Sequence, residues 1–358
     1  MSRLVLAAAS ALIFFSRAPA AGQAATPAPA PKNSIIFSAH DPQAIDRFTE
    51  NPAVTRRMVD QLVMAVTGQS EIGQAWRTLV SAKDRIGIKV AAAGAPYFSS
   101  RRGVVEAILA GLESSGVPRR QVIVWDRDTA DLRRAGFDAK RLGCEVRSIE
   151  PASGYDKEAM FTAPVLGKLI WGDLLFTQKA QKVGGKLPKE GDQLSSSSYI
   201  AKLVSKEITK VINVPVITDG AGAGIAGALY NMTVPNVDNW RRFTQTDASA
   251  TEALASLYED ERVGAKVVIT IMDGLLAQYA GGPRGNPNYA FAHATVYASR
   301  DPVALDATAF RLIEGWRAEA KLPPIGGRAA WLKSAEELGL GNFAAERIVI
   351  QEVTPPVR

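Results

Sequence analysis

Between Asp84 and Asp126 the chain reads as strand, helix, strand, and that order leaves few folds open. Asp84-Arg-Ile-Gly-Ile-Lys-Val90 is a short β-branched run. Gly103 to Ser115 sets Val104, Val105, Ile108, Leu109 and Leu112 at helical spacing and breaks at Gly116-Val-Pro118. Gln121-Val-Ile-Val-Trp-Asp126 is apolar again and ends in an acid. A βαβ unit of this kind builds a parallel sheet with a right-handed crossover. The expected fold class is therefore α/β, a mostly parallel sheet with helices on both faces.

The remaining periodicities extend that sheet. Val54, Met58, Leu62, Val63 and Val66 mark one face of a helix over 51–66, with Asn51 as N-cap, Pro52 as first residue and Thr67-Gly68 as its end. A second helix is expected near Gln74 to Ser81, a short one over Asp128 to Ala135, and a strand over Cys144 to Ile149. Helices are also expected over Tyr199 to Lys210, Asp247 to Glu259 and Pro302 to Arg317, the last starting after Asp301. Strands are expected over Ala265 to Gly274, Phe291 to Ser299 and Arg347 to Val353. Around 151–198 the pattern weakens, with Trp171-Gly-Asp173 and a Gly184-Gly-Lys186 turn, which predicts an irregular insertion over the sheet where binding loops often lie.

The N-terminus follows different rules. Arg3 precedes the charge-free run Leu4 to Phe15, too short for a bilayer span of roughly 20 apolar residues, and small residues follow up to Ala24. Residues 1–25 are expected to be a secretory signal, cleaved between Ala20 and Ala25, and 26–33 a Pro/Ala linker. The expected domain is then 34–358, periplasmic or secreted, without stable membrane insertion after cleavage. The net charge of +6 falls to +4 on losing Arg3 and Arg17, and the basic residues are scattered pairs such as Arg133-Arg134, which argues against nucleic acid as a partner. Cys144 is the only cysteine, so this chain builds neither an intramolecular disulfide nor a cysteine-ligated iron–sulfur cluster.

The candidate site centres on Val211 to Asn231, an apolar run that empties into a turn with Gly220, Gly222, Gly224 and Gly227. Glycines after a buried strand permit positive φ or close approach of a ligand to the backbone. Gly222-Ala-Gly-Ile-Ala-Gly227 satisfies G-x-G-x-x-G, yet no second strand ending in an acid follows, so a dinucleotide site is not the leading reading. Lys89 is a charge inside an apolar strand, placed either to reach solvent at the strand end or to point into a site. Asp126, Asp219, Asp273 and Asp301 each fall at or just past an apolar run, with Asp306 one turn into the next helix. Carboxylates at that edge hold a hard cation or move a proton; equally, Asp301 before Pro302 suits a helix cap. Lys89, Asp273 and Asp301 are the catalytic candidates and Asp273, Asp301 and Asp306 the metal candidates. Asn213, Asp219, Gly220, Gly222, Gly224, Gly227 and Asn231 are the candidates for ligand binding.

Ile86-Gly-Ile-Lys-Val90, Ile212-Asn-Val-Pro215, Gly224-Ile-Ala-Gly-Ala-Leu229 with Asn231, Met272-Asp-Gly274, Gly281-Gly-Pro283 and Asp301-Pro-Val-Ala-Leu-Asp306 together resemble the family called domain of unknown function 362, over roughly 84–315. The resemblance implies a family sometimes fused to iron–sulfur modules and without a general assigned reaction. This chain has Thr218-Asp-Gly220 where members typically show Lys-Thr-His, and Tyr230 where a lysine commonly precedes the asparagine. The expected function is an exported enzyme or enzyme-like binder of a small polar or anionic molecule at the strand ends, with glycine-loop amides and Lys89 facing the anion and a divalent cation as candidate cofactor. The alternative is a non-catalytic binding or accessory scaffold that has lost the family's basic loop residues.

Overall fold

The strand order of the central sheet explains where a ligand can reach it. The computed structural model describes residues 33–169, 194–220, 222–244, 248–282 and 284–353. The expected signal segment 1–25, the linker up to Lys32, Trp171-Gly-Asp173 and the Gly184-Gly-Lys186 turn lie outside the described residues.

The chain opens with β1 (Ser34–His40), a small hairpin β2 (Ile45–Asp46) and β3 (Thr49–Glu50), then helices α1 (Pro52–Thr67) and α2 (Ile72–Leu79). A β-α-β-α-α-β run follows: β4 (Ile86–Val90), α3 (Arg102–Ser114), β5 (Val122–Asp128), α4 (Thr129–Arg134), α5 (Ala139–Leu142) and β6 (Glu145–Glu150). The insertion is an antiparallel ribbon of β7 (Tyr155–Lys168) and β8 (Leu194–Ala201). Then come β9 (Lys210–Val214), β10 (Val216–Gly220), β11 (Gly224–Ile225), α6 (Ala228–Thr233), α7 (Ala248–Glu259), β12 (Val267–Gln278) and β13 (Ala290–Ser299). Helices α8 (Pro302–Glu319) and α9 (Trp331–Glu337) lead to the closing strand β14 (Ile348–Glu352).

The main sheet has ten strands, in the order β14-β1-β13-β12-β9-β4-β5-β6, with β10 alongside the far half of β12 and β11 beside β10. The pairs from β12 through β9, β4 and β5 to β6 are parallel, as are β10 with β12 and β1 with β14. Only β13 with its two neighbours and β10 with β11 run antiparallel. The sheet is thus mixed and mostly parallel, and helices cover both faces. Ile86, Ile88, Val90, Val122 and Val124 join the core under α1, α2 and α3, while Ile123, Trp125 and Val211 join the core under α6 to α9. Strands buried on both faces need apolar residues at successive positions, which is why their sequences do not alternate.

The first three parallel strands are connected over the α3 face, and the chain then returns over the opposite face to lay β9 on the other side of β4. The winding direction reverses between β4 and β9. In open parallel sheets that reversal opens a crevice at the carboxyl ends of the strands.

One sequence expectation fails, and the insertion takes a defined form. The helix expected over 199–210 is instead the end of β8, one π-helical turn at Leu203–Glu207, and the start of β9. Tyr199 and Ala201 pair with β7, Ile200 bridges to Val237, and Thr209 and Lys210 both donate to the Arg85 carbonyl, which leaves room for one turn only. The insertion expected over 151–198 is, where described, an antiparallel ribbon whose register shifts twice, between Tyr155 and Met160 and between Thr162 and Gly167, and which is tied down by the buried Arg242. That guanidinium donates to the carbonyls of Val165 at 3.0 Å and Ser196 at 2.6 Å and to Ser198 Oγ at 3.0 Å. Burial pushes Arg242 down to about 10.

Candidate functional site

Lys89 sits in the middle of the sheet, with Trp125 of β5 on one side and Asn213 of β9 on the other. Its side chain faces α6 and has no solvent exposure. Nζ donates to Asp126 Oδ1 at 2.7 Å, to Asn231 Oδ1 at 3.0 Å and to the Val90 carbonyl at 2.8 Å, which takes up all three of its protons. Asn231 passes the chain on, Nδ2 donating to Asn213 Oδ1 at 2.8 Å, and Asn213 Nδ2 donates to the Ala228 carbonyl at 3.0 Å. Asp126 also accepts from the backbone N–H of Ala92 at 2.7 Å and of Arg127 at 2.8 Å. Burial pushes Lys89 below the usual lysine range, and the Asp126 carboxylate opposes that. A fully hydrogen-bonded chain of this kind fixes α6 against the strand ends.

Above this chain a cleft of about 580 Å³ opens at the switch point. One wall is the loop after β4, Ala91 to Ala95 with Phe98; another is the end of β5 with Asp126, Arg127, Asp131 and Arg134. Val216, Thr218, Ala226, Tyr230, Asn231, Val234, Pro235 and Trp240 close the far side, and Arg284 and Gly285 form a lip. Arg127 is taken up by structure: it donates to Val234 and Val237 carbonyls, to Glu150 and to Tyr155, and stacks 4.9 Å from the Trp240 ring centroid. Arg134 pairs with Asp131 at the exposed rim. Arg284 is exposed, and its guanidinium makes no hydrogen bond or ion pair among the described residues. The same holds for the hydroxyl of half-buried Tyr230, which burial pushes up to about 12, so it remains a neutral O–H donor across the physiological range.

Of the candidates named from sequence, Asn231 lines this cleft, while Lys89 and Asn213 lie directly beneath it. The others are elsewhere. Asp273 points to the opposite face of the sheet, where Oδ2 accepts from the Arg101 N–H at 2.6 Å, at the start of α3, and Oδ1 from Leu275. Burial holds its carboxyl above the ordinary range, and the nearby Arg101 pulls the other way. Asp301 caps α8 through Ala304 and also holds Ser34 and the Asn342 N–H. Asp306 accepts from the N–H groups of Ala228 and Leu229 at the start of α6. Burial pushes it up to about 7. Among the described residues no group of three or more His, Cys, Asp or Glu side chains is placed to hold a metal ion together.

The glycine turn is packed by the protein's own chain. A Cβ on Gly222 would lie 1.5 Å from the Thr244 carbonyl oxygen, and one on Gly227 would lie 2.0 Å from Asp306 Oδ1. Gly220 and Gly224 are buried as well, and none of the four lines the cleft. Asp219 accepts from the Gly282 N–H at 2.8 Å and so fastens the loop that carries Arg284. Sequence reasoning passed over Arg284, Arg134 and Trp240. The signal for the first was an arginine inside the Gly/Pro-rich turn Gly281-Gly-Pro-Arg-Gly285 between two strands, a place where an exposed charge has no structural duty.

Among solved structures, a crystal structure of a Thermotoga maritima protein determined in a structural genomics programme is similar at a TM-score of 0.40 and 10% sequence identity, over 78% of this chain. The similarity spans 61% of the length of that protein. No curated protein matches the chain. A sequence-family profile described as a domain of unknown function matches residues 86–311, from the first residue of β4 to the middle of α8. The matched region holds both Lys89 and Arg284 and covers well over half of the sequence, so the chain belongs to the domain of unknown function 362 family.

Proposed function

We propose that the protein binds a small anionic molecule in the cleft between β4, β5 and β9. The observation that carries this reading is the pair of donors facing the cleft without a protein partner among the described residues, the Tyr230 hydroxyl and the Arg284 guanidinium. Lys89 and Asp126 cancel one another, Arg127 is matched by Glu150 and Asp131 at the rim by Arg134, so Arg284 leaves the cleft positive. Ala92, Ala93, Ala95, Val216 and Pro235 supply apolar wall between the polar groups, which suits a ligand with an apolar body and an anionic end. The test is thermal unfolding of the full chain with inorganic phosphate, phenyl phosphate, benzoate and divalent cations. A ligand at 100 times its Kd stabilises the native state by about 2.7 kcal/mol. A rise with an anion that disappears in Arg284→Ala is the expected result. No rise with any anion, or a rise unaltered in that variant, would sink the reading.

The placement of Lys89 favours a binding scaffold over catalysis at that amine. A nucleophile or base needs a free lone pair and access, whereas this ammonium is enclosed with all three protons donated. Bound phenyl phosphate is then expected to leave unchanged, and release of phenol, followed by NMR, would overturn this second reading.

We also infer export: residues 1–25 act as a secretory signal and 34–358 form one α/β domain with 151–198 as an insertion. The short apolar run after Arg3 supports this, and no helix among the described residues is long and apolar enough to cross a membrane. Fractionation of expressing cells with N-terminal sequencing tests it; a chain retained with Met1 intact in the cytoplasm would count against it.

A further inference from the structure

The turn between β12 and β13 forms one lip of the cleft, and two buried side chains hold it there. Gln278, the last residue of β12, is 1% exposed. Its amide nitrogen donates to the Arg284 carbonyl at 3.0 Å, and its amide oxygen accepts the Asn286 N–H at 2.6 Å. Weaker contacts of 3.3 and 3.4 Å link the same nitrogen to Thr218 Oγ1 and Asp219 Oδ1. Asp219, near the end of β10, accepts the Gly282 N–H. The turn then leans on the loop after β4, where a Cβ on Gly285 would come within 2.6 Å of Phe98 and 2.9 Å of the Gly94 carbonyl oxygen. Backbone groups on both sides of Arg284 are therefore fixed, although the arginine itself is exposed.

An arginine on a loose turn would have to order its backbone as well as its side chain when a ligand arrives, and both orderings weaken binding. A pinned turn removes that cost before binding. We propose that Asp219 and Gln278 are positioning residues that hold Gly282, Arg284 and Asn286 in place so that Arg284 meets the anionic group of the ligand. The inference rests on the anion-binding reading above and assigns a task to two buried polar groups that it left idle.

Isothermal titration of the full chain with phenyl phosphate tests it, using Arg284→Ala, Asp219→Ala, Asp219→Asn and the double variant Asp219→Ala/Arg284→Ala. Loss of one charge-assisted contact weakens binding about tenfold, and that is the expected effect of Arg284→Ala and of Asp219→Ala separately. Asp219→Asn keeps an oxygen for the Gly282 N–H and is expected to bind close to wild type. In the double variant the aspartate change should add almost nothing, because its effect passes through the arginine. Fully additive losses, or wild-type binding by Asp219→Ala beside a weakened Arg284→Ala, would overturn the positioning role and leave the anion site standing. Wild-type binding by Arg284→Ala, or no binding by the intact chain, would overturn both. Should Asp219→Ala fail to fold by circular dichroism, Gln278→Ala replaces it in the same cycle.

Discussion

Lys89 shows how one residue can look catalytic in sequence and act as a structural anchor. It lies on a strand where Ile86, Ile88 and Val90 face one core, so its own position points to the other, and there it meets Asp126 and Asn231. Lys89→Met keeps most of the stem volume and leaves Asp126 buried without its counter-charge. Removing one partner of a buried pair costs about 3–5 kcal/mol. Urea unfolding of that variant should show a loss of this size, and a loss under about 1 kcal/mol would mean that the pair stabilises little. Tyr230→Phe removes only a hydroxyl with no protein partner among the described residues, so it should leave the unfolding midpoint within a degree or two while weakening anion binding. A sequence displays the charge of Lys89, but not its partners: Asp126 and Asn231 lie 37 and 142 residues away.

At the scale of elements, α6 is held by its neighbours more than by its own six residues. A helix this short is marginal alone, and its first N–H groups are satisfied by Asp306 from α8. Gly227 is glycine because a Cβ would strike that carboxylate, so Gly227→Ala is expected to destabilise by about 1–3 kcal/mol, read as a lower midpoint in thermal unfolding. Burial raises Asp306 from 3.8 to about 7, so between about pH 4 and 7 the folded chain keeps a proton that the unfolded chain releases. Its contribution to stability is full below about pH 4 and is lost as pH rises through about 7. Asp306→Asn should flatten that part of the stability profile, and an unchanged slope would contradict the assignment. Burial and the neighbouring His40 lower His293 to about 4, which gives the opposite slope between about pH 4 and 6.5, so the two effects must be separated by variant. Helices with end signals and apolar stripes of their own, α1 between Pro52 and Gly68 and α8 after its capping Asp301, were legible from sequence to within a residue or two at most ends, although Asn51 makes no side-chain capping bond. The ribbon and α6 were not, since what holds them is a buried arginine and an aspartate supplied from far along the chain.

Across the whole molecule, local pattern and long-range placement divide the result between them. Apolar runs of five to seven residues separated by helical stripes determined that the chain makes a mostly parallel sheet covered on both faces, because only that arrangement buries such strands. The single cysteine and the short apolar run Leu4 to Phe15 likewise belong to the sequence alone. The strand order does not, and from it follows the reversal between β4 and β9 that opens the cleft. Nor does side-chain direction: Lys89 and Asp273 both stand in β-strands of one sheet, yet one faces α6 and the other the start of α3. Period-two alternation says that neighbours on a strand face opposite ways, but which face meets which helix is set by the crossovers. The tertiary structure alone therefore decided that the glycine turn receives Asp306 and Thr244, and that the cleft donors without a partner among the described residues belong to Tyr230 and Arg284. Contacts across a hundred residues or more depend on the closure of the whole sheet, which no local run of residues encodes.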